Sequence, residues 1–363
     1  MKTLANKPDA NQIYSSDFDN IYPYSKMKRC LCNKTTGKII KELNDNNSLQ
    51  DLAGSPVDLT SNTYDVMVRI PAFYYKTTFL KDTTQYSILQ DVPYEQFLGD
   101  HEVHPAFIRE DGSIRPYVLI GAFKGSVLEG QLRSIINQKP QVSQTISWFR
   151  DSARQGRSTK YNIHTIHTVS AMQLLYLVEF NNTNSQAMLG NGWTGKSESA
   201  TTGATVALGN KSGYLGVNGN QVSYRGIEDP FGNVWEFIDA LLIKDDGFYM
   251  SKDPAKFGDI EQLTLTPVVP LTAPDNTKDG YIKSMFREKS LDFGFFPNTT
   301  GDDATNTAYW CDYHYTHRTG ATNIALFGGS WAYGAGAGLF YWDWAHGVSS
   351  AGSAFGARLV FLP

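Results

Sequence analysis

The segment from Phe327 to Phe361, FGGSWAYGAGAGLFYWDWAHGVSSAGSAFGARLVF, constrains the fold more than any other stretch of the chain. Asp343 and Arg358 are its only formal charges, and it contains no Lys, Glu, Gln or Met. Indoles and phenols stand among Gly, Ala and Ser. The 32 glycines of the chain favour β-structure and long shaped loops over helical bundles. The run LFYWDW predicts a strand, with Trp342 and Trp344 on one side and Tyr341 and Asp343 on the other. Indoles turned inward bury a large apolar area and fix the backbone. The outer side and its neighbouring loops are then free to differ without unfolding the domain.

The rest of the chain supplies elements for such a face to sit on. In YDVMVRIPAFYY, Val66, Val68 and Ile70 alternate with Met67 and Arg69, the period of a half-buried strand, and Pro71 restricts pairing there to an edge or a bend. RPYVLIGAFKG reads as a second strand. Two helices are expected next. SQTISWFRDSARQ has Ser143 or Thr145 as N-cap, and TVSAMQLLYLVEFNN carries Met172, Leu175, Tyr176 and Phe180 near helical spacing. Beyond Asn181 the chain turns to Gly, Asn, Ser and Thr, as short strands joined by long loops do. Near the start, YPYSKMKRCLCNKTTGKIIKEL reads as two strands about a turn at Thr35–Gly37, followed by a polar junction. The pattern predicts an α+β, loop-rich fold with two helices, divided into a small β-rich N-terminal module over 1–60 and one larger domain over 61–363. Ordered loops of such length are uncommon unless they carry function.

Charge and cysteine content narrow the function classes. A net charge of −4 without any Lys/Arg run does not fit a nucleic-acid binder. No apolar stretch approaches the length of a membrane span, and the first residues lack the apolar core of a secretory signal. Three cysteines are too few for a disulfide framework and fit a reduced environment during assembly.

Candidate chemistry is sparse. Cys311, His314 and His317 stand at three-residue intervals, as zinc ligands on a helical turn would, yet aromatic residues surround them and no fourth ligand is evident. His164 and His167 lack the spacing of a metalloprotease helix. Two acidic pairs, Glu228 with Asp229 and Glu236 with Asp239, have the residue types of a glycosidase, which needs two carboxylates across a substrate. Glu236, within NVWEFID, fits better as an anchor for loop backbone. No nucleophile elbow, P-loop or dinucleotide fingerprint is present. The residues point to no catalytic group, metal or cofactor.

Three further segments carry a family resemblance: GIEDPFGNVWEFIDALL, FGGSW and FGARLVF. In this order they resemble the C-type lectin fold of the formylglycine-generating-enzyme subtype, in which G-N-V-W-E, G-G-S-W and G-[FA]-R-L segments hold a loop-rich half together. The likeness spans residues 60 to 363 and implies a scaffold of Gly232, Trp235, Glu236, Gly328, Gly329, Trp331, Trp342, Trp344 and Arg358. It does not carry the chemistry. The cysteine pair of the oxidase members is missing, as is the calcium motif of sugar-binding lectins.

Within that superfamily the ending is most similar to the variable proteins of diversity-generating retroelements, in which an error-prone reverse transcriptase rewrites codons that contain adenine. The resemblance implies a variable region over about 328–361. Its variable, ligand-binding positions would be Ala332, Tyr333, Gly336, Asp343, Ala345, His346, Ser350, Gly352, Ala354 and Phe355. Each is reachable from an Asn or Ile codon ending in a pyrimidine by changing adenines. An ordinary lectin-like domain, with Ala, Gly and Ser as turn and packing residues, would explain the glycines well and the run Asp343-Trp344-Ala345-His346 poorly. The segments MVRIPAFYY and HPAFIREDG resemble phage or prophage tail proteins of this group. The resemblance therefore implies a host-recognition protein on a virion tail, assembled in the host cytoplasm. Its ligand would be a host cell-surface protein or glycan, its partners the other tail components, and its assembly a homo-oligomer such as a trimer. The rival expectations are a catalytic member of the superfamily or an unvarying sugar-binding tail module.

Overall fold

Residues 28–33 and 64–71 begin the molecule's first large sheet by pairing antiparallel, Leu31 opposite Val66. The computed structural model describes residues 13–14, 17–81, 83–88, 99–244, 247–251, 269–270, 278–316 and 322–363. The first sheet has seven strands in the order Tyr161–Ile163, Leu359–Phe361, Tyr117–Gly121, Tyr64–Pro71, Lys28–Asn33, Ile39–Asn44, Asn47–Asp51. The boundary expected at residue 60 therefore falls between paired strands of one sheet. The hairpin about Thr35–Gly37 is present and adds its strands to that sheet. Tyr64–Pro71 lies in the middle of it, with Pro71 as its last residue, where a missing N–H interrupts little.

Alternation sorts these side chains between two cores. Val66, Val68 and Ile70 enter one apolar cluster while Met67 enters the other. Cys30 and Cys32, two positions apart, share the second cluster and remain thiols. The second large sheet runs Val269–Pro270, Gly247–Met250, Trp235–Lys244, Asn323–Phe327, Trp342–Gly347, Tyr313–Tyr315, Gly280–Met285, Pro297–Thr300. A ninth strand, Phe355–Gly356, pairs parallel with Trp235–Lys244.

The described residues form three α-helices and many strands in curled sheets, so the fold is mostly β. Helix α1, Ile146–Arg154, starts at Thr145, whose hydroxyl accepts from the Trp148 N–H at 3.3 Å. Helix α2, Ile166–Phe180, opens on a reciprocal Thr165–Thr168 capping box and ends at Asn181 in the left-handed region. It is apolar nearly all round, so it is buried nearly all round, in the cluster shared by both sheets. A third, short helix, α3, covers Ser185–Leu189. Among the described residues no helix is long and apolar enough to cross a membrane.

The two sheets are tied by one buried ionic hub. The Glu236 carboxylate accepts from Lys124 Nζ at 2.8 Å, Arg358 Nε at 2.8 Å and His164 Nδ1 at 2.7 Å. Arg358, just before the last strand, also donates to the carbonyls of Gly121, Glu228 and Asp229. Burial alone would raise the Glu236 carboxyl, but Arg358, Lys124 and His164 together hold it well below the ordinary carboxylate range.

Candidate functional site: an aromatic face on the nine-stranded sheet

The bend that leads into the C-terminal segment is built from close backbone contacts. Gly329 has φ +74°, and a Cβ there would lie 2.6 Å from that of Ala337. The Trp331 N–H donates to the Asn233 carbonyl at 2.8 Å, and the Gly232 N–H to that of Gly328 at 3.0 Å. The GNVWE and GGSW segments are thus stitched together. At Gly338 a Cβ would fall 2.1 Å from a carboxylate oxygen of Asp312, whose other oxygen accepts from the Phe340 N–H at 2.7 Å. Only hydrogen fits beside that buried carboxylate.

From this bend the Trp342–Gly347 strand enters the sheet between Asn323–Phe327 and Tyr313–Tyr315. Trp342 and Trp344 point into the main core and are essentially unexposed. Trp342 Nε1 donates to the Phe295 carbonyl at 2.9 Å. Burying about 150–250 Å² per indole is worth about 4–6 kcal/mol at ~25 cal/mol per Å². Tyr341 turns the other way, into the second cluster. Burial raises the hydroxyl pKa of Tyr315, Tyr333 and Tyr341, and the nearby Asp343 charge raises each further. Asp343 accepts from the Ala345 N–H at 2.8 Å and meets His346 Nδ1 at 3.0 Å.

On that side Trp235 is the centre of a ring cluster. Its ring centroid lies 4.8 Å from Tyr333, 5.0 Å from Phe355, 6.2 Å from His346 and 6.3 Å from Tyr341. Tyr315 extends the cluster, 5.8 Å from Tyr333 and 4.8 Å from Tyr313. Burial raises the Tyr333 and Tyr341 hydroxyls, so both remain protonated donors at neutral pH. The Tyr341 hydroxyl and Trp235 Nε1 are buried; the indole N–H faces the Tyr341 hydroxyl, and that hydroxyl faces the one on Tyr333.

Of the ten positions expected to vary, Ala332 is exposed, and Tyr333, Ala345, His346, Ser350 and Gly352 are half-buried. Gly336, Asp343, Ala354 and Phe355 are buried. Tyr333, His346 and Phe355 converge on Trp235, and Asp343 lies just beneath. The outer side expected to be open is therefore partly roofed by its own rings, and Tyr341 and Asp343 form its floor rather than its surface. Among the scaffold positions, Gly232, Trp235, Glu236, Gly328, Gly329, Trp342, Trp344 and Arg358 are buried and Trp331 is half-buried. Tyr313 and Tyr315 were not singled out from the sequence as part of this face, although their period-two spacing in CDYHYTH is the signal that places both on one side of a strand.

The candidate chemistry does not assemble. Glu228, Asp229, Glu236 and Asp239 are all unexposed and accept from protein donors, so none faces a cleft that a substrate could enter. Residues 313–315 form a strand, not a helical turn, and His314 Nδ1 is engaged with the Trp342 carbonyl at 3.0 Å. Cys311 carries a thiol raised by burial, and His317 lies outside the described residues.

Fold and site together define a mostly β protein whose curled nine-stranded sheet carries a ring-lined face near its C-terminus. No protein-family model and no curated protein matches the chain. Among solved structures it is similar to proteins titled as tropism determinants. One is titled Major Tropism Determinant M1 Variant, at TM-score 0.31 and 11% identity, covering 85% of this chain and 66% of that one. The other is the U1 Variant, at TM-score 0.24 and 10% identity, covering 96% and 85%. The chain thus spans just under two thirds of the length of the M1 variant.

Proposed function

We propose that this chain is a ligand-binding protein of a phage or prophage tail. In this reading it has the C-type lectin fold of the formylglycine-generating-enzyme subtype, and its C-terminal face is diversified by a retroelement. The observation that carries the reading is the convergence of Tyr333, His346 and Phe355 around Trp235, while Trp342 and Trp344 anchor the same strand from the opposite side. A binding surface needs side chains that can change above a framework that cannot, and this arrangement separates the two. Recognition is by shape and polar complementarity to a host cell-surface protein or glycan, with no covalent step.

The buried carboxylates support binding over hydrolysis, since every acid in the two pairs is committed to holding loops. The N-terminal strands would join the chain to the other tail components. A symmetric homo-oligomer, such as a trimer, would multiply weak individual contacts into useful avidity. The test is genetic. The gene is sequenced deeply from a growing population, together with any near-copy of its 3′ end. Differences confined to adenines of the template in codons for the ten positions are expected. Differences scattered over codons for Trp342, Trp344 or Gly338 would overturn the reading.

A further inference from the structure

We infer that Trp235 and Tyr341 form the floor of a ring-binding pocket, which Tyr333 closes in this chain. The biological use of this pocket rests on the function proposed above; its existence does not.

Trp235, at the centre of the ring cluster, is 7% exposed. Its cover is made by Tyr333 at 4.8 Å, Phe355 at 5.0 Å and His346 at 6.2 Å, all three at positions expected to vary. Trp235 and Tyr341 are not among those positions. The floor and its lid therefore belong to different classes of residue. Tyr333 is the lid that matters most. It packs on Trp235 and on Tyr341, 5.5 Å away, and follows exposed Ala332 in a turn that ends at Gly334–Gly336. Removing its ring uncovers both floor side chains at once.

The floor has a defined chemistry. Trp235 supplies an aromatic face and a buried N–H, and Tyr341 supplies a buried hydroxyl held in its protonated form. The Trp235 N–H faces the Tyr341 hydroxyl, which faces that of Tyr333, so losing Tyr333 leaves the Tyr341 donor without its acceptor, at about 1–3 kcal/mol for a buried group. The edge of the site adds His346 paired with Asp343. A ligand that satisfies all of this is a flat ring with an apolar face and oxygen acceptors on its edge. The pyranose ring of a surface glycan has that form. In this chain Tyr333 occupies the ring's place and leaves a shallow face. A variant with Ser, Ala or Gly at 333 presents a pocket instead, so residue 333 sets whether a flat surface or a ring is recognised.

The test uses the full chain and two probes that need no knowledge of the host. p-Cresol, which reproduces the tyrosine ring, is titrated by calorimetry into the wild type, Tyr333→Ala and Tyr333→Ser. Binding at least tenfold tighter to either variant than to the wild type is expected, provided its thermal unfolding stays cooperative. Adding Trp235→Phe, which keeps a ring but removes the N–H, is expected to weaken p-cresol several-fold while leaving toluene unchanged. A folded Tyr333→Ala or Tyr333→Ser that binds p-cresol no better than wild type would mean the face has collapsed and the inference is wrong. Neutral hexopyranoses are then titrated into the same variants, where millimolar binding is expected. Binding of p-cresol with no response to any hexose would overturn the assignment to sugar rings. Neither result depends on whether the gene is diversified.

Discussion

Replacing Glu236 with Gln probes the bond between the two sheets. The carboxylate is 1% exposed and faces two side-chain cations, each at 2.8 Å and each fully buried. Gln keeps the shape and one acceptor oxygen but removes the charge and turns an amide N–H₂ toward a donor. Breaking a buried ion pair from one side costs about 3–5 kcal/mol, because the partner charge stays behind uncompensated. Lys124 can relieve part of this by losing its proton, a direction in which burial already pushes it. Arg358 has no such escape and must rely on the carbonyls of Gly121, Glu228 and Asp229. At about 2 °C per kcal/mol for a chain of this size, melting should fall by roughly 6–10 °C.

The pH dependence gives a second, independent reading. The Glu236 carboxyl is held well below its unfolded value, so its contribution is present above about pH 4.5 and fades as pH falls through and below that value. The wild type should lose stability on acidification through this range, and the Gln variant should lose less. His164 is held neutral by burial and adds a loss in the same direction below about pH 6.5 in both proteins. Adding Lys124→Met to the Gln variant should recover part of the lost stability by removing the stranded cation. Differential scanning calorimetry across pH measures all three proteins. A Glu236→Gln protein melting within about 2 °C of wild type, with an unchanged acid limb, would refute the hub as a stabilising element.

Four other outcomes are expected. Asp229 is buried beside Glu228, and its carboxyl is pushed up to about 7, so the folded state holds that proton more tightly than the unfolded one. Its contribution is complete below about pH 4 and lost as pH rises toward 7, on the order of 1 kcal/mol per pH unit, and calorimetry of Asp229→Asn should show that loss abolished. Gly338→Ala places a methyl on the Asp312 carboxylate and should destabilise by about 2 kcal/mol or more in urea unfolding, whereas an unchanged midpoint would mean the loop yields freely. Tyr341→Phe removes a buried hydroxyl that meets the Trp235 N–H and the Tyr333 hydroxyl, so urea unfolding should show a loss of about 1 kcal/mol, whereas an unchanged midpoint would mean these contacts add nothing. Ala332→Lys, at an exposed tip, should leave the melting temperature unchanged, and a cooperative loss of several degrees would show that the loop is part of the core.

Much of the scaffold was legible in local pattern. Thr145, one of the two caps expected, opens the first helix because a hydroxyl before an apolar period satisfies the first free N–H groups, whereas the second helix begins at Thr165, three residues ahead of the run expected to be helical. The alternation of Val66, Met67, Val68 and Ile70 divides between two cores as a strand requires. The inward turn of Trp342 and Trp344 follows from the same period. What local pattern could not contain was distance. The strands of 1–60 read as a separate module because nothing within them announces that Lys28–Asn33 pairs with Tyr64–Pro71. Likewise Arg358 carries no local sign that it will meet Glu236, 122 residues earlier in the chain.

By itself the sequence determined the alternatives open to each segment: which side chains share a side of a strand, where helices begin, and where no charge or bulk is tolerated. These depend on neighbours along the chain, whose geometry the backbone sets. Only the tertiary structure decided that Trp235, Tyr313 and Tyr315 join the C-terminal rings on one face, and that Tyr333 lies over Trp235 and Tyr341 instead of standing in solvent. Such contacts are chosen by how sheets curl and which surfaces lose water together, and that choice is made by the whole chain at once.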